Sequence, residues 1–180
     1  MQQLVLDVSG KPFPQFMQET VLNPLGMTNS TYEQPLSQEL AARTADGYYP
    51  KGKAVPGRWH IYPEMAAAGL WTTASDLALF AISIQKALAG ETNRVISQSM
   101  TRQMLTDQKE SAGLGLFLSG NGKTLRFSHN GRDEGFDALL TAFAEAGQGA
   151  VILINENENS GALNRIVEAI GHEYHWPDQP

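Results

Sequence analysis

Residues 125–154, which have the sequence LRFSHNGRDEGFDALLTAFAEAGQGAVILI, decide the fold class of this chain. Apolar residues occur there in short runs separated by Gly, Asn and Asp, as expected for strands joined by turns. The four strand-like runs in and before this stretch are Leu114 to Leu118, Leu125 to Asn130, Phe136 to Ala144 and Gly149 to Ile154. Asn121-Gly122 lies between the first two runs and favours a type I′ hairpin turn. The sequence therefore predicts an antiparallel meander of about four strands.

The last of these runs also indicates how the sheet is covered. Val151-Ile152-Leu153-Ile154 contains no polar residue, which is typical of a strand buried on both faces. Further along the chain, apolar residues recur at helical spacing and predict a final amphipathic helix that packs on the sheet. The residues of this stripe are Leu163, Ile166, Val167, Ile170 and Tyr174.

The first 110 residues differ in character from the rest. Helices are predicted over Met1 to Val8, from Pro12 to about Leu22, over Ala74 to Ala89, and from Ser97 with Met100, Met104 and Leu105 on its buried side. Met27 to Met65 shows little periodicity, and this long irregular segment is either a pocket wall or a surface excursion. We expect one α+β domain, an antiparallel sheet with a C-terminal helix packed on it, N-terminal helices and this irregular segment. Residues 1–110 form its helical and irregular part, and residues 111–180 form the sheet and the C-terminal helix.

Composition and charge narrow the possible functions. The chain has 13 Lys and Arg residues against 19 Asp and Glu residues, and its formal net charge is −6. Its cations are dispersed, so no basic stripe is available to a phosphate backbone and we expect no nucleic-acid partner. No run approaches the roughly 20 apolar residues of a membrane-spanning helix. The chain has no cysteine, which excludes disulfides, thiolate metal sites and cysteine nucleophiles.

Ser128-His129-Asn130-Gly131, at the end of a predicted strand, is the strongest candidate for a chemical site. The reference pKa of histidine, about 6.5, lets its ring donate or accept a proton near neutral pH. Glycine has no Cβ, so a substrate can lie directly against the strand at that position. From the residues alone, the alternative is a histidine in a turn beside Asn-Gly.

Three segments together resemble motifs of the class C β-lactamase-like family, in the same order along the chain. They are PLGMTNSTY at 24–32, AGLWTTASDL at 68–77, and His129-Asn130-Gly131 followed by Gly135-Phe136. The family includes β-lactamases, D-amino-acid-releasing peptidases and carboxylesterases, and the similarity extends from about Gln2 to about Glu168. The resemblance implies a partial β-lactamase or transpeptidase-like fold, and an intact protein that is a serine hydrolase.

The resemblance also implies roles for four neighbouring residues. The His-x-Gly segment looks like the counterpart of the family's Lys-Thr-Gly strand motif. By this comparison His129 faces the active site, Asn130 and Gly131 bind the substrate, and Gly131 permits its close approach. The backbone N–H of Arg132 would supply one half of an oxyanion hole, and the N–H of the nucleophilic serine would supply the other. An acyl-enzyme route of this kind implies no metal and no organic cofactor.

The family's nucleophile is the main discrepancy. It lies in a Ser-x-x-Lys motif followed by a Tyr-x-Asn element, and both should precede the segment that resembles Met1 to Gly10. The match in this chain, Ser83-Ile84-Gln85-Lys86, lies deep inside a predicted helix and downstream of the expected place, which indicates a chance match. We therefore expect this chain to be the C-terminal part of such a hydrolase, inactive alone. The alternative is a stand-alone, non-catalytic binding or regulatory module with the same partial fold.

Partners and location follow from the same comparison. The intact protein would act on a small-molecule or peptide acyl substrate, namely a β-lactam, a D-amino-acid peptide or an ester. A sheet edge left exposed in this chain would promote homo-oligomers. A periplasmic or secreted location fits the family resemblance, while the sequence itself leaves the compartment open.

Overall fold

The computed structural model describes residues 1–91, 94–158 and 160–178, and it combines helices with an antiparallel sheet. The helices are α1 Gln2–Ser9, α2 Phe13–Met17, α3 Asn23–Leu25, α4 Gln38–Arg43, α5 Met65–Ala68, α6 Ala74–Ala89, α7 Gln98–Met104 and α8 Ser160–Glu173, and a π-helical turn, Gln18–Leu22, joins α2 to α3. The strands are β1 Tyr48–Tyr49, β2 Lys53–Ala54, β3 Phe117–Ser119, β4 Arg126–Asp133, β5 Phe136–Phe143 and β6 Gly149–Ile154. In these ranges, no helix is both long enough and apolar enough to cross a bilayer.

Strands β3 to β6 form a four-stranded antiparallel sheet in the order of the sequence. β4 and β5 pair along their whole length, and β3 pairs only with residues 126–128 at the start of β4. β6 pairs with residues 137–142 of β5. The predicted α+β fold, with a meander of four strands and a final helix, is confirmed.

The core lies between α6 and one face of the sheet. Its buried residues are Ala81, Ile84, Leu105, Leu116, Leu118, Phe127, Leu140, Ala142 and Ala144. Phe127 has no exposed surface, and a buried ring of this size is among the largest single contributions to a core. On the opposite face of β5, the ring of Phe143 meets the ring of Trp176 edge-on, with 5.4 Å between their centres. Alternate residues of β5 therefore contact different layers of the protein.

The two motifs at residues 24–32 and 68–77 contact each other at one buried carboxylate, Asp76, which is 4% exposed. It accepts hydrogen bonds from the backbone N–H of Asn29 at 2.7 Å and from the hydroxyl of Ser30 at 2.8 Å. Beside it, Thr31 and Trp71 form an antiparallel backbone bridge. Hydrogen bonds to a carboxylate are stronger than neutral ones, so these contacts fix the first turn of α6 against the loop that contains Asn29 and Ser30.

The connection between β3 and β4 differs from the predicted hairpin. Ser119 pairs with Arg126, so the connection is longer than a two-residue turn. It contains a short 3-10 turn, in which the N–H of Asn121 donates to the hydroxyl of Thr124 at 3.2 Å and the N–H of Thr124 donates to the carbonyl of Asn121 at 3.0 Å. The type I′ prediction for Asn121-Gly122 is wrong because Thr124 offers the backbone this local alternative.

Two predictions of burial are also wrong. Met100 is 47% exposed, whereas Thr101 is fully buried, because the core side of α7 is formed by Thr101, Met104 and Leu105 at helical spacing. In β6, residues 150–154 are partly exposed instead of buried on both faces. α6 and α8 both contact β6, but it is the last strand of the described sheet, and its outer edge stays open there.

The wall segment, residues 27–65, contains α4, the short β1–β2 hairpin and the first residue of α5, and the rest of it is irregular. Arg58 organises much of it. Its guanidinium donates to the carbonyls of Ala41 at 3.0 Å and Thr44 at 2.8 Å, and it forms an ion pair with Asp46. These contacts give the segment a fixed shape with little regular secondary structure.

Candidate functional site

The four residues singled out by the sequence lie together at the end of β4. β3 pairs only with the first three residues of β4, so residues 129–133 have one edge without a partner strand in the described sheet. His129, Asn130, Gly131 and Arg132 are all exposed there. Side chains alternate along a strand, so the histidine and the glycine share one face, and the asparagine and the arginine share the other.

The imidazole of His129 is held in place while it stays open to solvent. His129 lies opposite the core residue Leu140 on β5. Its ring stacks on Phe117, with 5.9 Å between the ring centres and 22° between the ring planes. Phe117 is itself 53% exposed, so the pair forms part of the surface. A ring placed in this way can exchange a proton with a bound molecule.

The space beside Gly131 is empty of protein atoms. A Cβ added at this position would meet no atom of the chain within 4 Å, and the φ of Gly131 lies outside the left-handed region. The packing of this chain therefore does not require glycine at this position. The missing side chain leaves room for a bound molecule against the backbone of β4.

The Arg132 side chain is bound to the neighbouring strand. Its guanidinium forms a bidentate ion pair with Asp137, directly opposite on β5, at N–O distances of 2.6 and 2.9 Å. Asp137 is 2% exposed, and its hydrogen bond raises the pKa of Arg132 above the usual value. This ion pair uses two of the five N–H groups of the guanidinium, and the backbone N–H of Arg132 is a separate donor.

The strand register directs the backbone N–H of Arg132 outward. Asp133 and Phe136 flank the two-residue loop between β4 and β5, and such a loop is closed by a hydrogen-bonded pair. Hydrogen-bonded and non-hydrogen-bonded pairs alternate in an antiparallel ladder, so the next pair, Arg132 and Asp137, is not hydrogen-bonded. The N–H of Arg132 therefore points away from β5, toward the side where β4 has no neighbour.

The turn that ends β4 is tied to two distant parts of the chain. The side chain of Asn157 donates to the carbonyl of Asp133 at 2.7 Å and accepts the N–H of Gly135. The hydroxyl of Tyr62, in the wall segment, accepts the N–H of Glu134 at 2.9 Å. No local sequence pattern indicates these contacts, because they join residues 22 to 72 positions apart.

Acidic and phenolic groups surround this turn. Burial raises the pKa of Asp133, and the nearby Glu64 carboxylate raises it further. Burial also raises the pKa of Tyr62, and burial together with the nearby Glu134 side chain raises the pKa of Tyr49. Asp133 therefore keeps its proton to a higher pH than an isolated aspartate does. Within the described ranges, no three His, Cys, Asp or Glu side chains converge as a metal site would require.

Ser83 is separate from the residues of β4. Its hydroxyl donates to the carbonyl of Phe80 at 2.7 Å within α6. Ser83 and Lys86 line a surface cavity of about 390 Å³ beside Pro24 and Leu25, and no residue of β4 lines that cavity. A serine hydroxyl that is bonded to its own helix is in the usual position for a helix-interior serine.

Comparisons with known proteins identify the family. A family model described as Beta-lactamase matches residues 1–172. A protein of Bacillus subtilis (strain 168), named penicillin-binding protein PbpX, is 25% identical over 167 residues. The match covers 91% of this chain but 39% of that protein, so the chain spans about two fifths of the length of this relative.

Solved structures share the fold. A penicillin-binding protein from Bacillus halodurans has a TM-score of 0.73 at 19% identity, with 92% of this chain and 52% of that chain covered. For the octameric penicillin-binding protein homologue from Pyrococcus abyssi, the TM-score is 0.70 at 20% identity, and the coverages are 94% and 40%. A D-amino acid amidase from Ochrobactrum anthropi SV3 has a TM-score of 0.71 at 19% identity, with 96% of this chain and 55% of that chain covered. Together with the match over residues 1–172, this shared fold shows that the chain belongs to the β-lactamase-like serine hydrolase family.

Proposed function

We propose that this chain forms the strand side of an acyl-transfer site in a β-lactamase-like serine hydrolase. The observation that carries the proposal is the open end of β4, residues 129–132. A solvent-facing imidazole, a glycine with free space beside it and an outward N–H lie there within four consecutive residues. Acyl transfer needs a place for the acyl group, a donor to the oxyanion and a titratable group nearby.

In the proposed reaction, a serine supplied from outside this chain attacks the carbonyl carbon of the substrate and gives its proton to a base. The carbonyl oxygen becomes an oxyanion, which accepts hydrogen bonds from the N–H of Arg132 and from the N–H of that serine. Collapse of the tetrahedral intermediate breaks the bond to the leaving group, which takes the proton from the base, and leaves an acyl-serine; water then hydrolyses this ester to the free acid and the serine. His129 exchanges a proton with the substrate or the leaving group, and Asn130 offers an amide to a polar substrate group.

The proposed substrate is an amide, an ester or a β-lactam. The family is named for β-lactam hydrolysis, and one structural relative is a D-amino acid amidase complexed with L-phenylalanine amide. These compounds share a carbonyl carbon bonded to a nitrogen or oxygen atom that acts as the leaving group.

We also propose that residues 1–110 and 111–180 belong to one hydrolase domain, because α6 from the first part shares a core with β4 and β5 from the second.

A non-catalytic binding module is the second candidate. The observation in its favour is that the Ser-x-x-Lys sequence of this chain has its serine hydroxyl bonded to the carbonyl of Phe80. Such a module would use the open edge of β4 for binding, without acylation. A natural start codon at Met1 would favour it, and a reading frame that continues upstream through Ser-x-x-Lys and Tyr-x-Asn would favour the enzyme.

The experiment that tests the proposal compares this chain with the longer product of its reading frame. Turnover of nitrocefin and of p-nitrophenyl acetate is measured for both, together with mass spectrometry of any acyl-enzyme. We expect the longer product to turn over substrate and to carry one acylated serine outside this chain, and we expect neither result for the chain alone. Ser83→Ala in the longer product is the control and should leave turnover unchanged, since that hydroxyl is bonded within α6. Acylation of Ser83, or a longer product that is never acylated, would contradict the proposal.

We expect this chain alone to form dimers or strand-exchanged oligomers through β6. β6 is the last strand of the described sheet, and its sequence, GAVILI, lacks the charges that discourage edge-to-edge pairing. The relative from Pyrococcus abyssi is octameric. Light scattering after size-exclusion chromatography should give at least twice the chain mass of 19.6 kDa. A mass that stays monomeric as the concentration is raised would rule out this association.

A further inference from the structure

The turn between β4 and β5 is not one of the two turn types that two-residue hairpins favour. Two residues, Glu134 and Gly135, connect the paired residues Asp133 and Phe136. Two-residue loops favour types I′ and II′, which need a positive φ at the first central residue and match the twist of the strands. Here Gly135 has a φ of 87°, but Glu134 is not among the residues with a positive φ. These signs of φ are those of a type II turn, which matches the twist of the strands less well, so contacts from outside the hairpin can add to its stability.

Asn157 supplies such contacts. Its amide nitrogen donates to the carbonyl of Asp133 and its amide oxygen accepts the N–H of Gly135, so one side chain bridges both ends of the turn. Its backbone N–H donates to the carbonyl of Tyr48, in the wall segment, at 2.9 Å. The residue is only 6% exposed, and a hydrogen bond that is lost in a buried place is costly. A side-chain amide provides a donor and an acceptor at once, as this arrangement requires.

The turn lies one residue beyond the outward N–H of Arg132. Because β4 is continuous through residues 131–133, a displacement of Asp133 also displaces the open edge. A catalytic group that is misplaced by about 1 Å can lower a reaction rate by about 100-fold. The place of the proposed oxyanion donor therefore depends on the hydrogen bonds that Asn157 makes to the turn.

We propose that Asn157 is a positioning residue of the acyl-transfer site and holds the end of β4 so that the N–H of Arg132 meets the oxyanion. This inference rests on the proposed function. Tyr62, in the wall segment, makes a further contact with the turn, because its hydroxyl accepts a hydrogen bond from the N–H of Glu134. Together these two side chains bind three consecutive residues of the turn, from Asp133 to Gly135.

The test is Asn157→Asp in the longer product. Aspartate keeps the shape of the side chain and an oxygen for the N–H of Gly135, but it replaces the donor to Asp133 with a second oxygen. We expect kcat for p-nitrophenyl acetate to fall by about 10- to 100-fold and KM to change by less than about threefold, because oxyanion contacts form mainly in the transition state. Asn164→Asp, on the exposed side of α8, makes the same change in charge and should leave kcat within about twofold of wild type.

The pH dependence tests whether the loss of this hydrogen-bond donor causes the loss of kcat. When the introduced carboxyl group is protonated, it regains an O–H donor for the carbonyl of Asp133. The ratio of variant kcat to wild-type kcat should therefore rise as the pH is lowered toward about 5. A ratio that stays flat or falls as the pH is lowered would overturn the inference, because the restored donor would then not restore kcat.

Amide hydrogen exchange on the 180-residue chain distinguishes this inference from the proposed function. In Asn157→Asp, exchange of the N–H groups of Gly131 and Gly135, relative to that of Phe127 in the core, should be at least about 10-fold faster than in Asn164→Asp. Unchanged exchange, or an unchanged kcat in an active longer product, would overturn the inference. If the wild-type longer product is inactive, the proposed function fails, and exchange alone then decides whether Asn157 holds the end of β4.

Discussion

Replacing Gly131 with alanine is expected to lower turnover by the longer product by about 100-fold or more and to leave the stability of the chain unchanged. The added Cβ would meet no protein atom within 4 Å, and the φ of Gly131 suits alanine, so the fold has no reason to change. The methyl group would instead occupy the space in which we place the substrate, next to the outward N–H of Arg132. Steady-state kinetics with p-nitrophenyl acetate and thermal unfolding of the same protein provide the two measurements.

Gly161→Ala is the matched control for this prediction. Gly161 lies on α8, its φ also suits alanine, and the nearest atom to an added Cβ is a flexible guanidinium nitrogen of Arg165 at 3.8 Å. This control should leave turnover unchanged. If Gly131→Ala kept wild-type turnover, the substrate would not approach β4 at this position and the proposed site would be in the wrong place.

Replacing Gly135 with alanine is expected to destabilise the chain by about 3 kcal/mol or more. Gly135 has a φ of 87°, which strains any residue with a Cβ, and the added atom would lie 2.7 Å from the Cα of Gly47 and from a methyl group of Val55. The wall segment therefore fits against the β4–β5 turn only because neither Gly47 nor Gly135 has a side chain. Urea unfolding followed by circular dichroism would measure the change in the free energy of unfolding.

Gly115→Ala separates the two causes of this loss. Gly115 has a similar φ of 78°, but an added Cβ would meet nothing within 4 Å. This control should therefore cost only the backbone strain, about 1–2 kcal/mol. Equal losses in the free energy of unfolding would show that the steric contact with Gly47 and Val55 does not contribute to the effect of Gly135→Ala.

Much of the fold could be predicted because its signals are local. The helix α6 begins at Thr73, whose hydroxyl accepts the N–H of Asp76, and it ends at Gly90 in the left-handed conformation, as the sequence indicated. The incorrect predictions concern positions where a neighbour decides the outcome. Asn121-Gly122 would suit a two-residue hairpin turn, but the hydroxyl of Thr124 accepts the N–H of Asn121, and the segment forms a 3-10 turn instead.

The candidate site could be predicted only in part, for a similar reason. His129 and Gly131 form a short pattern at the end of one strand, which the sequence displays directly. The hydrogen bonds from Asn157 and Tyr62 to the β4–β5 turn join three separate parts of the chain, and no spacing rule connects them. Asp137 occurs in an apolar strand, and only the register of β4 with β5 reveals it as the partner of the Arg132 side chain. Long-range pairing therefore determines how the site is held together.

The most direct test of the central claim is the structure of the longer product trapped as an acyl-enzyme. We predict that the acyl carbonyl oxygen lies about 2.7–3.1 Å from the backbone nitrogen of Arg132, with the acyl group beside Gly131. We also predict that the ring of His129 faces the same space. An acyl group bound away from β4, with the N–H of Arg132 directed elsewhere, would contradict the assignment of residues 129–132 to an acyl-transfer site.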